Sequence, residues 1–172
     1  MPRYRLMLEY DGAGFVGWQR QTNGLAVQQV IEEGIHAFTG ETVTAIAAGR
    51  TDSGVHALAM TVHADIAREM PASKIRDALA HHVRPHPVTV LSVEAVHEGF
   101  SARFDCVKRQ YLYRILNRAA VPALNRGRVW HVAQPLDVDA MNRAAAHLHG
   151  HHDFESFRSA HCQADTAVET PP

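Results

Sequence analysis

Residues 26–38 read Ala-Val-Gln-Gln-Val-Ile-Glu-Glu-Gly-Ile-His-Ala-Phe, and their apolar positions recur every three or four residues. This spacing is typical of an amphipathic helix, which we expect to end near Gly40. The surrounding sequence adds strand patterns at 5–10, 43–48, 58–66 and 88–96 and a second helix from Pro71 to about His82. The resulting order β-α-β-β-α-β predicts an α+β fold of the ferredoxin-like type, with both helices on one face of a mainly antiparallel sheet.

A similar pattern begins again after Gly99. Residues 102–107, 110–116 and about 128–132 have the composition of strands, and a helix is predicted from about Val138 to Leu148, behind Asp137. No further helix or strand is predicted after Gly150. We therefore predict two units, an α+β domain over 1–99 that carries the candidate catalytic loop and a partial second domain of similar type over 100–172.

The overall composition is that of a globular protein. The chain has 172 residues, of which 46% are hydrophobic and 20% charged, with 17 Lys and Arg against 18 Asp and Glu. These values exclude the collagen-like, disordered and coiled-coil classes, and no apolar run is long enough for a transmembrane helix. Because the N-terminus shows no signal-peptide pattern, the expected location is the cytoplasm. Cys106 and Cys162 are too far apart for a C-x-x-C zinc or redox motif.

The charge is distributed unevenly along the chain. Residues 101–128 carry seven basic side chains and one acidic side chain, whereas the segments before and after them are net acidic. Arginine binds phosphate through two parallel hydrogen bonds and stacks on aromatic rings. The stretch therefore predicts either a local anion-binding surface or a solvated strand edge.

Glycines at 12, 14 and 17 form a G-x-G-x-x-G pattern directly after the first strand. In dinucleotide-binding domains such glycines let the backbone approach a pyrophosphate at the N-terminus of a helix. Here the following residues are Trp18-Gln-Arg-Gln21 and a turn at Asn23-Gly24, so no helix is predicted where the phosphate would lie. A glycine-rich surface loop is the favoured interpretation.

A second candidate is the histidine-rich run from His147 to Asp153. Imidazole and carboxylate groups this close in sequence could bind a divalent metal ion, as in a metal-dependent hydrolase. The alternative is that His147 and His149 lie at the end of the predicted helix, where a protonated imidazole interacts favourably with the helix dipole.

The third candidate is the loop at 48–57, Ala-Gly-Arg-Thr-Asp-Ser-Gly-Val-His-Ala, between two predicted strands. It presents Arg50 beside Asp52, and an adjacent arginine keeps a carboxylate ionised and oriented. Such an aspartate can act as a nucleophile or general base. The alternative, equally compatible with the residues, is an Asx-type turn with a surface ion pair.

Four blocks, in order along the chain, resemble the tRNA pseudouridine synthase A family. The loop block Gly49-Arg-Thr-Asp-Ser-Gly-Val-His-Ala57 matches the signature of that family. The others are Tyr10-Asp-Gly-x-x-Phe-x-Gly-Trp-Gln-Arg-Gln21, Phe100-Ser-Ala-Arg-Phe104 with Lys108-Arg-Gln-Tyr-Leu-Tyr113, and Gly150-His-His-Asp-Phe-Glu-Ser-Phe-Arg158 with Cys162-Gln163. The resemblance implies a pseudouridine synthase fold and an isomerase that converts uridine in tRNA to pseudouridine.

The resemblance also implies a role for individual residues. Asp52 would be the essential catalytic aspartate, acting at the ribose either by attack at C1′ or by proton abstraction at C2′. Arg50 would hold Asp52 ionised and occupy the space of the flipped-out nucleotide, and Tyr111 would pack against the target base. The remaining expected substrate contacts are Arg103, Lys108, Arg109 and Tyr113 along the tRNA, and Trp18 and Gln19 in the loop that approaches it.

The implied partners are a tRNA anticodon stem-loop, modified at positions 38 to 40, and a second copy of the chain in a homodimer, with no metal and no cofactor. Family chains continue beyond the Cys-Gln block, whereas this sequence diverges from Ala164 and ends at Pro172. The resemblance therefore implies a chain truncated at its C-terminus. This leaves two alternatives to the enzyme, a catalytically incomplete RNA-binding fragment and, from the histidine run, a metal-dependent hydrolase.

Overall fold

Strand β1 (Arg3–Tyr10) lies inside a four-stranded sheet in the computed structural model, which describes residues 1–157 and the backbone of residues 168–169. Its antiparallel neighbours are β3 (Ala57–Asp65) and β4 (Val88–Val96), and the short β2 (Ile46–Ala47) pairs with β3, which gives the order β2-β3-β1-β4. Helices α1 (Val27–Thr39) and α2 (Ala72–His82) complete the series. The elements follow one another in the order that the sequence predicts, and the fold is α+β.

The hydrophobic core is built on one face of β1, along which buried and more exposed side chains alternate. Every second side chain of this strand is buried, because the side chains of a strand point alternately to its two faces. The two helices add apolar side chains to the same cluster, and α1 approaches α2 closely at Gly34, where an added Cβ would lie 2.7 Å from Cδ1 of Leu79. The buried residues of these three elements include Tyr4, Leu6, Leu8, Tyr10, Val27, Val30, Ile31, Ile35, Ile75 and Leu79.

The segment after β4 is tied back to the sheet by polar contacts. Arg3 binds both carboxylate oxygens of Asp65 at 2.7 Å and also donates to the carbonyl of Phe100 at 2.6 Å. His63 is buried, and its Nδ1 accepts a hydrogen bond of 3.0 Å from the amide of Ala102. These contacts hold the start of the block Phe100–Phe104 against β1 and β3.

The buried His63 predicts that acid destabilises this unit. Burial, with a smaller contribution from Arg3, lowers the pKa of His63 below its ordinary 6.5, although the carboxylates of Asp65 and Asp105 act in the opposite direction. The unfolded chain therefore binds a proton at a higher pH than the folded chain does, so the free energy of unfolding falls as the pH decreases from about 6.5 through the folded pKa. Urea midpoints at pH 7.5 and 5.5 measure this loss, and His63→Gln is expected to reduce the difference. Equal midpoints for the wild type at both pH values would contradict the expectation.

The second unit begins at Leu112, whereas the boundary predicted from the sequence lies after residue 99. Its strands β5 (Ile115–Asn117) and β6 (Trp130–Val132) pair in parallel, and β7 (His152–Asp153) pairs with β8 (Val168–Glu169). Helix α3 (Val138–Ala146) is present as predicted, and Asp137 caps it by accepting a 2.8 Å hydrogen bond from the amide of Ala140. None of the side chains of α3 is buried.

One predicted strand is absent from this structure, and a second is mostly absent. Residues 102–107 form no strand, and of the segment 110–116 only the end belongs to β5. A strand needs a neighbour to accept and donate backbone hydrogen bonds, and among the described residues β5 finds one only in β6. The predicted strand at 43–48 is shortened to Ile46–Ala47 for the same reason, because only these two residues pair with β3.

The Cys162-Gln163 motif and most of the segment after Ala164 lie outside the described residues. Within the described part of the chain, no helix has the length and apolar character needed to span a lipid bilayer.

Candidate active site

The loop over 48–56 connects β2 to β3 at the end of the sheet where β1 runs into its glycine-rich loop. The register places Tyr10, the last residue of β1, opposite Ala57, the first residue of β3. Arg50 and Asp52 are both exposed on this loop. The fold therefore presents a carboxylate and a guanidinium group at the surface, where this loop meets the glycine-rich loop.

Thr51, the residue between them, is held through its side chain and its backbone. Its Oγ1 shares a hydrogen bond of 2.8 Å with the hydroxyl of Tyr10, and its carbonyl accepts one of 2.9 Å from the amide of Trp18. Burial raises the pKa of Tyr10 above its ordinary 10.0, although the hydrogen bond to Thr51 opposes this. The phenol is therefore neutral at physiological pH and keeps its proton for a hydrogen bond.

The glycine-rich loop after β1 packs directly on the loop that carries Asp52. The carbonyl of Phe15 accepts hydrogen bonds from Oγ of Ser53 at 3.2 Å and from the amide of Gly54 at 3.4 Å. A Cβ at Gly12 would lie 2.0 Å from the carbonyl oxygen of Val55. Gly17 has a φ of +117°, and a Cβ there would lie 2.7 Å from the carbonyl oxygen of Thr51.

These contacts explain the G-x-G-x-x-G pattern without a nucleotide. Gly12 and Gly17 allow two backbone segments to approach closely, which is a use of glycine that the sequence pattern alone does not distinguish from phosphate binding. The loop contains only a short 3₁₀ turn (Gly12–Gly14), and α1 begins later, at Val27. The helix N-terminus that a dinucleotide site requires does not follow the glycines.

Arg109 holds the start of the same loop. Its Nε and Nη2 donate to the carbonyl of Ala48 at 3.0 and 2.7 Å, directly before Gly49 and Arg50. Nη2 also lies 3.4 Å from the carbonyl of Arg103. Arg109 is one of the predicted substrate contacts, and in the structure its guanidinium group is bound to the backbone of the candidate catalytic loop.

His56, at the end of the loop, faces Asp11. Its Nδ1 lies 2.9 Å from Oδ1 of Asp11 and 3.1 Å from the amide nitrogen of Gly12. The neutral nitrogen can accept from the amide, and the protonated nitrogen can donate to the carboxylate, but it cannot do both at once. Sequence reasoning missed this pair, and the only signal for it is that both residues belong to the matching blocks.

The predicted ion pair between Arg50 and Asp52 is not formed. Among the described residues, neither side chain has a hydrogen bond or an ion pair to any other. An exposed pair gains little over its separately hydrated charges, so nothing in the loop requires the two groups to meet. The Asp52 carboxylate is therefore presented to solvent at the tip of a loop whose backbone is held on both sides.

The other predicted site residues fall into two groups. Trp18 is only 2% exposed and packs in the core beside Tyr10, so it presents no ring to a ligand, and the half-buried Gln19 donates to Oε1 of Gln28 at 2.7 Å. The remaining side chains are exposed, and Tyr111 presents 69% of its surface. These exposed residues are Arg103, Lys108 and Tyr111 in the first unit and Tyr113 in the second.

The histidine run does not form a metal site in the described residues. No group of three or more histidine, cysteine, aspartate or glutamate side chains comes together there in a way that could hold a metal ion. His147 lies at the C-terminal cap of α3, and Nε2 of His152 bonds to the carbonyl of His149 at 3.0 Å. The hypothesis of a metal-dependent hydrolase gains no support from this geometry.

Comparison with known proteins relates the chain to one family. The family model described as tRNA pseudouridine synthase matches residues 6–105, which include both loops of the candidate site. A protein of Rhodospirillum centenum called tRNA pseudouridine synthase A is 59% identical over 170 residues, which is 99% of this chain and 69% of the relative. A protein of the same name from Parvibaculum lavamentivorans is 53% identical over the same shares of the two chains. The chain therefore belongs to the tRNA pseudouridine synthase family, which consists of isomerases.

Proposed function

We propose that this protein converts uridine to pseudouridine at positions 38 to 40 of the tRNA anticodon stem-loop, with Asp52 as the catalytic residue. In this reaction the N1–C1′ bond breaks, the uracil rotates, and a C5–C1′ bond forms. The hydrogen on C5 leaves as a proton, and N1 gains one. The reaction needs no oxidant or reductant, and the proposed enzyme uses no cofactor.

The observation that carries the proposal is the presentation of Asp52. Its carboxylate is exposed and forms no hydrogen bond or ion pair with another described residue, whereas the preceding Thr51 is anchored by Tyr10 and Trp18. A catalytic acid or base must be free to reach the substrate and yet held within a few tenths of an ångström. Asp52 would act at the ribose, either by attack at C1′ or by abstraction of the C2′ proton.

Arg50 and Tyr111 supply the proposed contacts to the target nucleotide. A uridine must leave the base stack before an enzyme can reach its glycosidic bond. The exposed guanidinium group of Arg50 can occupy the vacated space, and the exposed ring of Tyr111 offers a flat face against which the base can rotate. Arg50 thus serves the substrate in this proposal, with no ion pair to Asp52.

The basic segment supplies the proposed contacts to the tRNA backbone. Arg103, Lys108 and Tyr113 are exposed and suited to this role. Arg109 would contact tRNA only through the part of its guanidinium group that the Ala48 carbonyl leaves open. Gln19 lies in the loop that follows β1. The buried Trp18 would contribute only indirectly, because its backbone amide holds the carbonyl of Thr51. The resemblance further supports a ferredoxin-like arrangement of the first unit and a homodimer in the cytoplasm.

The proposal is tested by tritium release. A tRNA transcript labelled with tritium at C5 of uridine is incubated with the protein, and the released tritium is counted. Release is expected from a transcript with uridines at positions 38 to 40, and it should disappear when these are replaced by cytidine. Binding of tRNA without release would instead indicate the RNA-binding fragment, and release that persists after the replacement would contradict the proposed position.

Lys108 allows the proposed backbone contact to be tested with a matched control. The chain has only two lysines, Lys108 and Lys74, and both are exposed. Each lysine that neutralises a phosphate adds about one to the slope of log affinity against log salt concentration. We expect Lys108→Ala to weaken tRNA binding and to reduce this slope by about one, whereas Lys74→Ala on α2 should change neither. If log affinity depends on log salt concentration with the same slope in both variants, Lys108 makes no phosphate contact.

A further inference from the structure

Two buried tyrosines on β1 use their hydroxyl groups in different ways. Tyr4 and Tyr10 are each 3% exposed and lie on the same face of the strand. The hydroxyl of Tyr4 donates to the carbonyl of Met70, at the segment before α2, at 3.1 Å. The hydroxyl of Tyr10 bonds to Oγ1 of Thr51 at 2.8 Å. Only the second contact reaches the loop that carries Asp52.

Thr51 cannot move independently of the core. Its carbonyl accepts from the amide of Trp18, and its Oγ1 meets Tyr10, so both its backbone and its side chain are bound. Trp18 in turn is 2% exposed and receives a 3.0 Å hydrogen bond from the amide of Gln28 on its own carbonyl. Thr51 therefore connects the backbone leading into Asp52 to β1, through Tyr10, and to α1, through Trp18 and Gln28.

We propose that Tyr10 and Thr51 form a positioning pair for the proposed reaction, in which the buried tyrosine hydroxyl fixes the side chain of Thr51 and through it the placement of the Asp52 carboxylate. Tyr10 does not touch the substrate in this account. Displacement of a reacting group by about 1 Å from a change outside the site can cost about 10²-fold in rate. The inference rests on the proposed role of Asp52.

Removal of the hydroxyl from Tyr10 tests the pair, with Tyr4→Phe as the matched control. Both changes remove one buried hydroxyl and one hydrogen bond from the same strand, so both should lower the urea midpoint to a similar extent. Tyr10→Phe is expected to lower kcat for tritium release by about 10-fold or more while KM stays within about twofold. Tyr4→Phe should leave kcat within about twofold of the wild type.

Substitutions at Thr51 separate positioning from general loss of stability. Thr51→Val should lower kcat as Tyr10→Phe does, and Thr51→Ser, which keeps the hydroxyl, should restore most of it. Because both single changes break one contact, the double variant Tyr10→Phe, Thr51→Val is expected to be no slower than the slower single variant. Effects on kcat that multiply would show that the two residues act separately.

Amide hydrogen exchange provides a readout that is independent of activity. We expect faster exchange over residues 48–56 in Tyr10→Phe but not in Tyr4→Phe, since only the first change removes a contact to the loop. If the wild type releases tritium and Asp52→Asn does not, but Tyr10→Phe matches Tyr4→Phe in kcat and exchange, the positioning pair is overturned and the proposed function stands. If the wild type releases no tritium, the proposed function fails and the inference with it.

Discussion

Asp52→Asn is expected to bind tRNA with nearly wild-type affinity and to release tritium from C5-labelled uridine at no more than about 1% of the wild-type rate. A positioned acid, base or nucleophile typically supplies about 10²-fold to 10⁴-fold of rate, and asparagine provides neither the charge nor the basicity. The substitution changes one exposed group that forms no hydrogen bond or ion pair with another described side chain, so the fold should be unaffected. Single-turnover tritium release, together with a binding isotherm, measures both quantities.

The control for this change is Asp77→Asn. Asp77 is an exposed carboxylate of α2, where it pairs with Arg76 at 2.7 Å, so its substitution removes the same charge from the same unit. We expect Asp77→Asn to retain the wild-type rate. Equal rates for the Asp52 and Asp77 variants would show that Asp52 is not the catalytic residue. Loss of tRNA binding by Asp52→Asn would show that Asp52 contributes to binding of the tRNA and not to the chemical step.

The largest structural effect is expected from Gly12→Ala. The added Cβ would lie 2.0 Å from the carbonyl oxygen of Val55, and backbone at that position cannot move aside as the end of a flexible side chain can. The glycine-rich loop and the loop that carries Asp52 would have to separate, with loss of the hydrogen bonds from Ser53 and Gly54 to Phe15. We expect the free energy of unfolding to fall by about 3 kcal/mol, the upper end of the usual cost of overpacking, and tritium release to be lost.

Gly14→Ala is the matched control, two residues away in the same 3₁₀ turn. Apart from Gly14 itself and its two chain neighbours, no described residue has an atom within 4 Å of a Cβ built there, so the change should alter the free energy of unfolding by no more than about 0.5 kcal/mol. Urea titration of the two variants and the wild type provides the comparison. A Gly12→Ala protein as stable and active as Gly14→Ala would show that the two loops are not packed as described.

Much of the first unit follows from local sequence alone. The three-and-four spacing in 26–38 predicts α1, and Gly40 ends it with a φ of +77°, a conformation that glycine adopts without strain. The strand over 88–96 agrees with β4 at both ends. These elements could be predicted because each of them buries one face, and the spacing of the apolar residues on that face is visible within a short segment of sequence.

The contacts of the site depend on residues that are far apart in the chain. Nothing local in the sequence indicates that Arg109 binds the carbonyl of Ala48, or that Tyr10 reaches Thr51, because register and loop packing determine both. Trp18 shows the same limitation, since an aromatic residue in a glycine-rich loop has the same local pattern whether it faces RNA or the core. The strands predicted over 102–107 and most of 110–116 failed because strand composition does not supply a pairing partner.

The most direct test is the site-resolved pseudouridine content of an anticodon stem-loop transcript after incubation with the wild-type protein and, in parallel, with Asp52→Asn. We expect pseudouridine at one or more of positions 38 to 40 with the wild type and unmodified uridine with the variant. Unmodified uridine in both samples, or equal pseudouridine in both, would contradict the account.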